Sequence, residues 1–222
     1  MEEDELKRLA DAPDSRVWLR DDHATQLLLI RHAQFDGTEG HDSSALSEIG
    51  RAQAEALAGF LARDRLDAVY SSPYLRALQT AGPIADRHGL DVRVLKSLRE
   101  IDLRGPAGAS FAEVVGADEA ERIMSLFQEK KVWDVFGGVR ETSAELRERA
   151  VEAIDGIAQA HPGGRVAVIS HSPIIQAYLA VLTGSAFDLP FRTHQTSISL
   201  VEFHGADRQI HAIGARPHLH NF

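Results

Sequence analysis

Four apolar residues without a polar break, Leu27 to Ile30, stop at Arg31-His32. A run of that kind reads as a parallel strand covered on both faces, which delivers polar groups at its C-terminal end. A polar, glycine-containing stretch to Ala45 follows, then Ser47 as a helix cap, with Ile49, Ala52, Ala56, Leu57, Phe60 and Leu61 at helical spacing. Asp67 to Ser71 is a second short strand. Ser72-Pro73 after it resembles a cap with proline at the first helical position, opening a helix toward Gly89. Pro83 lies inside that helix and is expected to kink or split it. Val92 to Leu95 gives a third strand.

From 100 to 140 the alternation breaks: glycine-rich patches at Gly105 to Gly108 and Gly137-Gly138 flank a helical stretch with Ile123, Met124, Leu126 and Phe127. Thr142 to Ala160 is a well-patterned helix, Arg165 to Ile169 a buried strand, and Pro173 to Leu182 a helix opening after Ser170-His171-Ser172. Ser197 to Phe203 and Gln209 to Ile213 form a hairpin about Gly205-Ala206-Asp207. This order predicts an α/β fold: a three-layer α/β/α sandwich with a mostly parallel central sheet and a small inserted cap at roughly 101–140. Residues 1–23, charged and interrupted by Pro13, are an N-terminal extension, and 24–222 are a single domain. In such folds ligands sit outside the carboxyl ends of parallel strands, where His32 and His171 both fall.

Composition narrows the classes. The 222 residues, 44% hydrophobic and 26% charged, suffice for one sizeable core. With no cysteine, disulfides, thiol nucleophiles and cysteine metal clusters are excluded. A net charge of -9 argues against nucleic acid or an anionic membrane as bulk partner. No apolar run approaches the ~20 residues of a membrane span, and MEEDELKR carries acids where a signal peptide carries bases, so a cytoplasmic protein is expected. A homodimer is left open.

Arg31-His32 closes one strand, Arg76 lies one turn into the helix after the next, and His171 closes a later strand, so four groups can converge on one crevice. Cations without metal-ligating acids suit an oxyanion. Guanidinium forks grip phosphate oxygens, and helix N-termini after Ser72 and Ser172 present backbone N–H groups. A neutral imidazole can attack phosphorus, and two neighbouring guanidinium charges disfavour its protonation. His194, His204, His211, His218 and His220 match no standard metal-ligand spacing and are expected to be surface histidines of a tail; no metal or other cofactor is expected. Phe111, Phe127, Trp133 and Phe136 are expected to pack the cap rather than line a leaving-group site, and Arg104, Arg122, Lys130, Lys131 and Arg140 to be solvated.

Five stretches in order, L-L-L-I-R-H-A-Q, L-S-E-I-G-R-A-Q-A, S-S-P-Y-L-R-A-L-Q-T-A, L-R-E-I-D and V-I-S-H-S, resemble the histidine phosphatase superfamily, also called phosphoglycerate mutase-like, over roughly residues 26–203. The resemblance implies His32 as the phosphorylated nucleophile, Glu100 as proton donor, His171 as the second pocket histidine, and Arg31 and Arg76 as phosphoryl-binding groups. Gln34, where many relatives carry Glu, and Ser172, where the motif usually ends in glycine, are counted with the phosphate-binding groups. It further implies a metal-independent phosphomonoester hydrolase that acts through phosphohistidine on a small phosphorylated metabolite, favouring mildly acidic pH. The alternatives are a phosphoglycerate-type mutase, which needs a more basic cap, and a catalytically weak phospho-ligand binding protein.

Overall fold

The computed structural model describes residues 24–36, 43–102, 111–136 and 140–219. The N-terminal extension, Arg104, both glycine-rich patches and His220 lie outside the described residues, as does the side chain of Phe111. Six strands, β1 (Thr25–Arg31), β2 (Ala68–Ser71), β3 (Val92–Val94), β4 (Arg165–Ser170), β5 (Ile198–His204) and β6 (Asp207–Ala215), form one sheet ordered β3-β2-β4-β1-β5-β6. The first four are mutually parallel, and the hairpin of β5 and β6 adds an antiparallel edge. The sheet is mostly parallel, as the uninterrupted apolar runs imply.

Among the described residues the α-helices are α1 (Glu48–Leu61), α2 (Leu75–His88), α3 (Phe111–Val115), α4 (Ala117–Lys130), α5 (Ser143–Ala160) and α6 (Ser172–Thr183). Side chains alternate across a strand, so β1 feeds two cores. Leu28 and Ile30 pack with Leu57 and Leu61 of α1 and Ile84 of α2; Leu27 and Leu29 pack with Leu146 and Ile154 of α5 and Ile174 and Leu179 of α6. These are the three layers of the sandwich. Each such buried aliphatic side chain contributes about 1.5–3 kcal/mol. Ile123 and Phe127 of α4, with Trp133 and Phe136, join the core under α5 and α6, and Phe127 stacks on Trp133 at 4.5 Å. The three aromatics are packing residues, as their apolar bulk suggests.

Two local expectations need correction. Ser72 is not the cap of α2: the helix starts at Leu75 after Tyr74, and Ser72 Oγ instead accepts the Tyr74 N–H at 3.3 Å. Pro83 does not split α2, which continues to His88. Gly82 precedes the proline and has no Cβ to meet its ring, which removes part of the usual clash. Ser47 does cap α1, accepting the Gly50 N–H, and Thr142 with Glu145 forms a capping box on α5. No helix among the described residues is long and apolar enough to cross a membrane.

Candidate active site

The register of β1 on β4 pairs Arg31 with Ser170, so the next residue of each strand is an imidazole, and the two lie side by side. The rings of His32 and His171 are 5.0 Å apart between centroids and are 2% and 0% exposed. His32 Nδ1 lies 2.7 Å from Ala33 O. A carbonyl only accepts, so Nδ1 carries the proton and Nε2 the lone pair.

Arg76, from the first turn of α2, joins the two rings. Its Nε donates to His32 Nε2 at 3.2 Å, and Nη2 lies 3.3 Å from His171 Nδ1. The guanidinium is buried, and its carbon sits 4.9 Å from the Phe35 ring centroid and 5.0 Å from that of Tyr74. His171 is held at its other nitrogen by Ser72 Oγ at 2.8 Å, which gives the displaced serine its use.

Glu100 follows a single helical turn at Lys96–Leu98 and brings Oε2 to 3.5 Å from His171 Nδ1 and 3.9 Å from Arg76 Nη2. Burial pushes its carboxyl up to about 7, against the opposing pull of Arg76, the Ile101 N–H, Arg31 and Arg149. A carboxyl poised there exchanges a proton near neutrality. Arg31 donates through Nη1 to Thr193 O at 2.7 Å, while its buried Nε finds no partner among the described residues. Burial lowers the Arg31 pKa, and the Glu100 charge works against that.

Gln34 and Ser172 make hydrogen bonds beside, not to, the two imidazoles. Gln34 Oε1 accepts from Ser47 Oγ at 2.9 Å at the start of α1. Ser172 Oγ shares a hydrogen bond with Thr193 Oγ1 and accepts from Gln176 Nε2, both at 2.7 Å, in a network behind the Thr193 carbonyl that takes Arg31. His194 and His211 are exposed, as expected of surface histidines, but His204 and His211 belong to the sheet rather than to a tail. His204 closes β5 and His211 lies in β6, with their Nε2 atoms 2.8 and 3.4 Å from Glu202 Oε1, and His218 Nε2 meets Thr196 Oγ1 at 2.9 Å.

Several supports escaped the sequence reading. Thr80 Oγ1 accepts the Ala33 N–H at 3.0 Å and donates to Arg76 O at 2.7 Å, tying the loop after β1 to α2. A Cβ at Gly50 would stand 1.8 Å from Gln34 O, so only glycine lets α1 approach that loop. An isolated glycine in a helical pattern was the available signal. His32, Glu100 and His171 bring ligand atoms within 4.8 Å of one another. The Arg76 guanidinium, hydrogen-bonded toward both rings, makes the trio a poor cage for a cation and a good one for an anion.

The model of the histidine phosphatase superfamily (branch 1) matches residues 27–216. A bifunctional protein of Mycobacterium tuberculosis is 32% identical over 188 residues, covering 81% of this chain and 50% of that protein, so the chain spans about half the length of that relative. A metal-independent phosphoserine phosphatase of Arabidopsis thaliana is 31% identical over 189 residues, covering 79% of this chain and 78% of the relative. Among solved structures, Bacillus stearothermophilus YhfR superposes with a TM-score of 0.76 at 25% identity, covering 88% of this chain and 99% of that one.

Proposed function

Because the chain belongs to the histidine phosphatase superfamily, we propose that it is a metal-independent phosphomonoester hydrolase acting through phosphohistidine on a small phosphorylated metabolite. Residues 24–222 act as one domain, in the cytoplasm, with the segment at 101–140 as the substrate-facing cap. The observation that carries this reading is the buried guanidinium of Arg76 directed at the nitrogens of both imidazoles: a fixed cation beside a nucleophilic nitrogen suits a tetrahedral anion.

In the first step His32 Nε2 attacks phosphorus in line, the P–O bond to the alcohol breaks, and protonated Glu100 gives its proton to the leaving oxygen. Arg31, Arg76 and His171 take up charge on the remaining phosphoryl oxygens, where one well-placed donor contributes about 3 kcal/mol to lowering the barrier. In the second step the Glu100 carboxylate removes a proton from water. The water oxygen attacks phosphorus, the P–N bond breaks, and inorganic phosphate leaves with His32 neutral again. The acid step needs the carboxyl of Glu100, so turnover of alkyl phosphates falls as pH rises through about 7. The similarity to a phosphoserine phosphatase supports a small, polar phosphomonoester as substrate.

Phosphate release from a panel of phosphorylated metabolites in excess chelator tests this. Turnover that chelator leaves intact and His32→Ala abolishes is expected. Turnover that chelator removes, or that persists in the variant, contradicts the reading.

A further inference from the structure

Arg149 of α5 is the least expected member of the machinery around Glu100. It is only 11% exposed, yet none of its bonds goes to the imidazoles or to Arg76. Nη1 donates to Ser97 O at 2.6 Å and to Arg99 O at 2.9 Å. Between those carbonyls, Leu98 O accepts from Ser170 Oγ at 2.7 Å, the residue next to His171. Three successive carbonyls leading into Glu100 are therefore held from two sides. Behind them, Nε and Nη2 of Arg149 grip both oxygens of Glu141 at 2.5 and 2.7 Å, and Glu141, itself buried, also takes Arg99 Nη2 at 3.5 Å.

A buried ion pair is an expensive way to obtain stability, because apolar packing serves as well. A bidentate pair is, however, well suited to fixing direction. Glu100 must meet a leaving oxygen within hydrogen-bond reach and at a workable angle, and its side chain hangs from the backbone that Arg149 holds. We propose that Arg149, backed by Glu141, is a positioning residue for acid catalysis, fixing the reach and angle at which the Glu100 carboxyl meets the leaving oxygen. The proposal rests on the reading of Glu100 as proton donor. The charge of Arg149 also reaches Glu100, favouring its carboxylate against burial.

The test compares O-phosphoserine, whose alkoxide needs a proton to leave, with p-nitrophenyl phosphate, whose phenolate leaves without one. The full chain is assayed with Arg149→Met, Arg149→Lys, the double variant Arg149→Met/Glu141→Gln, which strands no buried charge, and Glu100→Gln. For Arg149→Met and the double variant, kcat/KM on phosphoserine, which ends at the phosphoenzyme and leaves out the hydrolysis step both substrates share, is expected to fall about 10²-fold, with kcat/KM on p-nitrophenyl phosphate held within about threefold because acid assistance matters little there. Arg149→Lys restores part of the loss, and in Arg149→Met the alkaline limb of the phosphoserine profile moves to higher pH. Equal losses of kcat/KM on both substrates, or none, overturn the role of Arg149. If Arg149→Met does not fold, the lysine and double variants carry the same comparison. Equal losses of kcat/KM on both substrates in Glu100→Gln overturn the acid assignment itself, a result separate from that of Arg149.

Discussion

The tautomer of one ring decides which nitrogen of His32 is open to phosphorus in the proposed mechanism. The Ala33 carbonyl claims Nδ1 of His32 and leaves the lone pair on Nε2, where Arg76 also points. Arg31, His32, Arg76 and His171 stood out in the sequence because each closes or opens an element, whereas Glu100 came only from the family resemblance. Phe35 and Tyr74 were not, since an aromatic near a strand end is more often packing than a guanidinium cradle. Gln34 and Ser172 were marked by departure from a pattern, and both side chains are bonded away from the imidazoles. Glu100 has a measurable signature beyond turnover. Its carboxyl is raised from 4.5 to about 7, so ionising it costs more in the folded protein than in the unfolded chain. That penalty is absent below pH 4.5, grows between 4.5 and 7, and is complete above. Glu100→Gln is therefore expected to be more stable than the parent by about 3 kcal/mol at pH 8 relative to pH 4.5. Denaturant melts at the two pH values check it; a stability difference independent of pH contradicts the burial argument.

Elements place those residues, and α1 shows how finely. Its cap at Ser47 is tied to both the carbonyl and the side chain of Gln34, and Gly50 allows the first turn to rest on the loop that leaves His32. The Ser47 cap was legible from residue type alone while the Ser72 one was misleading, and a close backbone approach leaves no mark except the glycine itself. Two substitutions in this helix separate proximity from propensity. Gly50→Ala forces the backbone of Gln34 aside and is expected to cost about 1–3 kcal/mol of stability and to lower kcat by displacing the nucleophile. Gly59→Ala, where a Cβ meets nothing within 4 Å, is expected to leave kcat unchanged and to stabilise by up to about 1 kcal/mol. Chemical melts and turnover of both variants decide it, and equal behaviour of the two contradicts the close-approach account. In α2, by contrast, Pro83 does not split the helix, and the Gly82 before it softens the break that proline alone suggests.

At the scale of the molecule, the order of strands and helices was readable because uninterrupted apolar runs and helical spacing are local signals. Strand order was not, being set by which faces pack together. The adjacency of β1 and β4 is what turns two distant histidines into a pair. The cap was the least legible region, since its aromatics look alike whether they line a site or fill a core; Phe127, Trp133 and Phe136 fill one. All of the proposed chemistry depends on this convergence delivering a phosphoryl group to one atom. The most direct test is rapid acid-free quenching of the full chain during turnover of a ³²P-labelled phosphomonoester, followed by peptide mapping. The account predicts label that is acid-labile and base-stable, located on His32, formed and lost at rates consistent with turnover, and absent from His32→Ala. Turnover with no labelled protein, or label on any other residue, contradicts it.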